Sequence, residues 1–288
     1  TKQIIEQVYN FYKNQYLTLD TSSEMPSFRI DATTDYWSNA AKAVLTIVEN
    51  NAARIRILQY NNSNPWNWGL NVTYTFYKGS PVIWGHVKGW RLSGTDTMIV
   101  QEMKINNAKF QIDLYEQKST VDDYYSSGNA TYGSFGLLYP GSTYDVTSFT
   151  DNGDNDESPI WNHVDGWTTV EYYFTLLVGD ETSSTVAAWI QEWDDELADS
   201  FGAVTSVTGG TYGGRNNQTG AFDFTRTAKT NIQFTYNPVG TDEGNFTAFH
   251  VDAWSGSDYI LKINGTTKTL NTDYYAAYTP SSGDLDIV

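Results

Sequence analysis

The chain has 288 residues, with 34 acidic and 17 basic side chains, three histidines and no cysteine, giving a formal net charge of −17. A negative surplus of that size repels phosphate backbones and anionic lipid, so neither nucleic acid nor membrane insertion is expected. The missing cysteines exclude disulfides, thiolate metal sites and thiol catalysis.

Charged residues make up only 18% of the chain and aromatic residues 15%, with 23 glycines. This is the composition of an extracellular β-protein long enough to bury a sizeable core. From Lys2 to Tyr16 the residues Ile4, Ile5, Val8, Tyr9, Phe11, Tyr12 and Tyr16 recur at helical spacing. They predict a short amphipathic N-terminal helix (residues 1–20) docked on its own domain or on a neighbouring copy. From Ala43 the period falls to two. Ala43 to Glu49 and Ala53 to Tyr60 flank Asn50, Asn51 and Ala52 as a hairpin. In Leu70 to Tyr77 the apolar set Leu70, Val72, Tyr74 and Phe76 leaves Asn71, Thr73 and Thr75 on an opposite face expected to be wet.

Further strands are expected at Val82 to Val87, Thr97 to Lys104, Lys109 to Tyr115, Thr169 to Val178, Asn231 to Asn237, Asn245 to Trp254, Tyr259 to Ile263 and Leu285 to Val288. Val186 to Ala198 reads equally as helix or strand. The pattern implies an all-β protein of antiparallel β-sandwich or jelly-roll units. One sandwich would span residues 21–200 and a C-terminal β-unit residues 201–288.

All three histidines open the same pentapeptide: His86-Val87-Lys88-Gly89-Trp90, His163-Val164-Asp165-Gly166-Trp167 and His250-Val251-Asp252-Ala253-Trp254. The first two copies share upstream residues as well, Ser80-Pro81 in one and Ser158-Pro159 in the other. The pattern implies an internal repeat of β-units. On a strand the histidine, the following charge and the tryptophan share one face. The plainest role for them is a Trp covering the sheet and a His hydrogen-bonded locally; a Trp facing a sugar ring is the sharper alternative.

Glu192-Trp193-Asp194-Asp195-Glu196 spaces three carboxylates as ExDxE, and over these five residues it resembles the signature of laminarinase-type jelly-roll glycosidases. That resemblance implies a nucleophile and an acid among the carboxylates. Ala187, Ala188, Leu197 and Ala198 instead make the segment a fair amphipathic helix with a solvated acidic face, so no catalytic residue is assigned. Asp151, Asp154, Asp156 and Glu157 sit in a Gly-containing acidic loop with the donor chemistry of a calcium site. Sequons begin at Asn61, Asn71, Asn129, Asn217, Asn245 and Asn264 and are candidate glycosylation sites.

These readings point to a non-catalytic, extracellular structural protein that assembles with copies of itself into a cell-surface layer, sheath, filament or virion surface. The N-terminal apolar face or the strand at Asp284 to Val288 would make the contact. The alternative is a jelly-roll carbohydrate-binding module or adhesin using Trp66, Trp68, Trp90, Trp167 and Trp254, with a glycoside hydrolase built on the ExDxE segment further behind.

Overall fold

The computed structural model describes residues 7–10, 15–18, 24–30, 44–61, 68–80, 82–93, 98–106, 123–129, 133–139, 148–151, 156–167, 169–179, 204–216, 218–227, 231–237 and 247–288. All regular structure among them is β. In chain order the strands are β1 (Gln7–Asn10), β2 (Gln15–Thr18), β3 (Glu24–Ile30), β4 (Val44–Asn50), β5 (Arg54–Asn61), β6 (Trp68–Tyr77), β7 (Val82–Arg91) and β8 (Met98–Asn106). There follow β9 (Asp123–Asn129), β10 (Gly133–Tyr139), β11 (Ser148–Asp151), β12 (Asp156–Trp167) and β13 (Thr169–Gly179). The C-terminal part holds β14 (Val204–Thr208), β15 (Gly210–Arg215), β16 (Ala221–Arg226), β17 (Gln233–Tyr236), β18 (Ala248–Asp252), β19 (Lys262–Ile263), β20 (Thr266–Thr267), β21 (Ala276–Thr279) and β22 (Asp284–Ile287).

Three sheets dominate. A seven-stranded sheet runs β9-β10-β13-β7-β6-β5-β4, a four-stranded one β11-β12-β8-β3, and a five-stranded one β15-β16-β18-β22-β21. Pairing is antiparallel except between β16 and β18, which run parallel because β17 intervenes in the chain and pairs elsewhere, with β14. The expected hairpin forms as β4 and β5 around Asn51, and the strands expected at Leu70, Val82 and Thr169 are present as β6, β7 and β13.

Alternation along the five-stranded sheet separates its faces. Phe222 and Phe224 flank Asp223, Phe249 and Val251 flank His250, and Leu285 and Ile287 flank Asp286. The apolar set forms a core with Tyr274 and Ala276, in which Phe224 stacks on Phe234 of β17 at 4.5 Å between ring centroids. The acidic set faces the other way, toward the β4–β5 turn.

Four expectations need correcting. The described part of the N-terminal segment is a hairpin, not a helix: β1 and β2 pair with Tyr9 opposite Tyr16. Its β-branched and aromatic residues suit a pleated strand as well as a helical stripe. The face expected to be wet is closed at Thr75, which is fully buried. Thr75 and Thr175 flank Trp84 in register, and the Asn216 to Gly220 turn lies over that indole. The terminal strand β22 is not free to join a neighbour, because β18 and β21 take both its sides. Of Tyr259 to Ile263 only the last two residues are strand; Tyr259 and Leu261 instead pack against the C-terminal core. Lys109 to Tyr115 and Val186 to Ala198 lie outside the described residues.

Candidate functional site

The β4–β5 turn is closed by Asn51, whose Oδ1 accepts from the backbone N–H groups of Ala53 and Arg54 at 2.9 and 2.7 Å. That turn delivers Arg54 into the interior, where it is 6% exposed. Its Nη2 and Nε hold the two oxygens of Glu49 at 2.9 and 3.0 Å, a bidentate pair, while Nη1 reaches Asp286 Oδ1 at 3.1 Å. Asn51 Nδ2 completes the junction, donating to Glu49 Oε1 at 2.8 Å and to Asp286 Oδ2 at 3.0 Å.

On the five-stranded sheet Asp223, His250 and Asp286 stand side by side in register across three strands. His250 Nδ1 lies 2.7 Å from Asp286 Oδ1, and its Nε2 lies 3.1 Å from Asp252 Oδ1. Asp223 Oδ2 accepts from Asn216 Nδ2 at 2.9 Å, while its Oδ1 is buried without a hydrogen-bond partner. Arg54 and Asp286 thus clasp the seven-stranded sheet to the five-stranded one, each buried charge meeting its opposite.

The titration of the clasp follows from its geometry. Burial disfavours the His250 imidazolium, but the hydrogen bond and charge of Asp286 outweigh it, and His250 is held above its ordinary value of about 6.5. Burial also raises the Asp286 carboxyl, and the His250 and Arg54 contacts reverse that to hold it below the usual range. A raised imidazole stabilises fully below its unfolded value and loses that contribution as pH climbs through the folded one. A depressed carboxyl stabilises above its unfolded value and loses that contribution as pH falls through the folded one. The clasp is therefore strongest between about pH 4 and pH 6.5.

A second imidazole behaves oppositely. His86 stacks on Tyr173 at 4.9 Å and shares a 2.8 Å hydrogen bond with Glu171, yet burial wins and holds it below its ordinary value. Its contribution is present above about pH 6.5 and fades as pH falls through the depressed value. Calorimetry across pH separates the two. His250→Asn is expected to flatten the decline in melting temperature as pH rises above about 6.5 through the raised value of His250, and His86→Asn to leave that decline in place. An unchanged decline in the His250 variant would remove it as the source.

All three motif histidines lie on strands, in different settings. The first copy keeps regular alternation within β7, with Val87 and Gly89 buried and Lys88 exposed. The second falls where the β12–β8 register shifts, between Asn162 and Trp167. In the third Ala253 adopts φ 58°, so β18 ends before Trp254. Of the candidate sugar-facing residues, Trp90 lies over its cross-strand partner Gly69, where a Cβ would overlap the ring. Trp254 packs beside the C-terminal core with the Arg226 guanidinium 5.0 Å from its ring. Trp68 opens β6 and Trp167 ends β12; Trp66 lies outside the described residues.

Asp151 and Glu157 stand opposite one another across the β11–β12 hairpin, and Asp156 opens β12. Asp154 lies outside the described residues, as do Glu192 to Glu196, Asn217 and Asn245. Asn61 and Asn129 end strands β5 and β9. Asn71 is half-buried on β6, and Asn264 is exposed at the tip of the β19–β20 turn with φ 51°.

The sequence reading missed Glu49, Asn51, Arg54, Asp223 and Asp286. Only the period-two pattern Asp284-Leu285-Asp286-Ile287, which puts two carboxylates on one face of a strand, could have pointed to the cluster. No protein-family model matches the chain, and no curated protein matches it.

Proposed function

We propose that the protein is a structural subunit of an extracellular surface assembly and that its copies join along β4. The exposed apolar edge of the seven-stranded sheet carries this reading. Among the described strands β4 has one neighbour, β5, and Val44, Leu45, Ile47 and Val48 are 45 to 62% exposed. Sheet edges are usually blunted by charge or proline. Here the bulge at Val48 lets the strand's one carboxylate, Glu49, turn inward to Arg54, so the edge keeps no charge.

The edge is also self-complementary. An antiparallel two-fold pairing centred on Thr46 sets Leu45 against Ile47 on the stretch before the bulge, as an isologous contact needs. The polar cluster supports a structural role in another way, since its charges are spent on holding two sheets together. Sedimentation velocity tests the reading. The full chain is expected to sediment as a dimer or larger species, and Leu45→Lys combined with Ile47→Lys to yield monomer with an unchanged melting temperature. A full chain that stays monomeric at every concentration, or a double variant that still associates, overturns it. A monomer that binds a glycan array would put the carbohydrate-binding reading in its place.

A further inference from the structure

The polar face of the five-stranded sheet continues beyond the clasp. Asp252 follows His250 by two residues on β18, and Asp284 precedes Asp286 by two on β22, so strand alternation sets all four on one side. His250 contributes a ring nitrogen, and Asp252 and Asp284 a carboxylate oxygen each, all within 4.8 Å of one another. We propose that His250, Asp252 and Asp284 bind a first-row divalent transition ion, zinc being the best match, with Asp286 as the residue that orients the histidine.

The ring is prepared for this. Asp286, 1% exposed, takes the Nδ1 side of His250 at 2.7 Å and leaves Nε2 facing Asp252. A carboxylate behind a ligating histidine fixes its tautomer and orientation. Asp286 is in turn pinned by Arg54 and Asn51 from another sheet, so the imidazole is held from behind by a buried lattice of hydrogen bonds. The 3.1 Å between His250 Nε2 and Asp252 Oδ1 is close to the spacing of two donors that each stand about 2.0–2.2 Å from a tetrahedral ion. Rotation of the Asp284 side chain brings in the third donor.

The backbone that carries both carboxylates is fastened. The Trp254 N–H donates to Gly283 O at 2.7 Å, and Arg226 Nε donates to Ala253 O at 3.1 Å. Independently of these three residues, Asp223 Oδ1 is buried without a partner on the strand beside His250, in register with it. One imidazole with two carboxylates favours zinc or its first-row neighbours over calcium and magnesium, which take oxygen donors alone.

The test is zinc chloride titrated into the metal-stripped full chain by calorimetry, with thermal melts alongside. One equivalent is expected to bind and to raise the melting temperature, and calcium chloride is expected to produce no such transition at this site. Asp252→Asn with Asp284→Asn is expected to keep a cooperative zinc-free melt and to weaken zinc binding about tenfold or more. His250→Ala is expected to abolish binding. Absence of zinc binding by the full chain, or equal affinity in the Asp252/Asp284 variant, overturns the proposal.

Discussion

Replacing Arg54 by Ala is expected to lower the unfolding free energy by about 3–5 kcal/mol, the cost of breaking a buried ion pair from one side. The loss of a single guanidinium takes the Arg54 cation from two carboxylates, Asp286, almost wholly buried, and Glu49, one-fifth exposed, and leaves Glu49 with Asn51 and Asp286 with Asn51 and His250. Burial alone would push the Arg54 guanidinium down, yet Asp286 and its neighbours hold it above its ordinary value, so in the native protein it stays charged. Arg54→Lys is expected to recover part of the loss, because an ammonium cannot grip both Glu49 oxygens and reach Asp286 together. Urea unfolding reads the effect as a lower midpoint at constant slope. A loss below about 1 kcal/mol, the range of surface pairs, would show that the clasp carries little of the stability.

Trp84→Ala is expected to cost a similar amount, about 3–5 kcal/mol. The indole is 3% exposed, with Thr75 and Thr175 in register on either side, the Arg215 guanidinium 5.0 Å from its ring and Gly220 directly against it. Truncation opens a cavity between the two sheets and uncovers two hydroxyls that are already buried without hydrogen-bond partners. The same contact can be broken from the other side. Gly220 has φ 72°, and a Cβ there would overlap the Trp84 ring, so Gly220→Ala combines backbone strain with overpacking and is expected to cost about 2–4 kcal/mol. If Gly220→Ala is neutral in chemical denaturation, the turn does not rest on Trp84.

Much of the strand pattern was legible because it is local. Asn50, Asn51 and Ala52 between two β-branched runs announce the β4–β5 hairpin, and the strand expected at Val82 to Val87 falls within β7. Local pattern misled where a distant segment changes the environment. Thr75 has the right spacing for a wet face and is buried because a turn 145 residues later, at Gly220, covers its neighbour Trp84. The N-terminal stripe misled differently: aromatic and β-branched residues satisfy a helical period and a strand pair alike, and pairing decides between them. The clasp was out of reach for a further reason. Arg54, Asp223 and Asp286 form no motif, and only the register of three strands and the turn facing them bring the charges together. The HVx(G/A)W motif did point to His250 and Asp252, but as a charge beside a Trp rather than as one end of a network.

The distance along the chain between the halves of the clasp sets the order in which the protein can be made. Asn51 and Asp286 are 235 residues apart, and even the middle of the seven-stranded sheet depends on partners as remote as His86 and Glu171, 85 residues apart. Contacts of such separation fold slowly, since a long loop must close before any pairing is rewarded. During synthesis Arg54 and Glu49 emerge early and wait for Asp286, with Trp84 uncovered and the apolar β4 edge already formed. A nascent chain in that state offers other chains the apolar edge along which we propose that finished copies join, which is the condition that favours misassembly. Productive folding therefore requires that closure of the C-terminal sheet outpace association, so the rate of synthesis and the local concentration decide whether the chain closes on itself or aggregates.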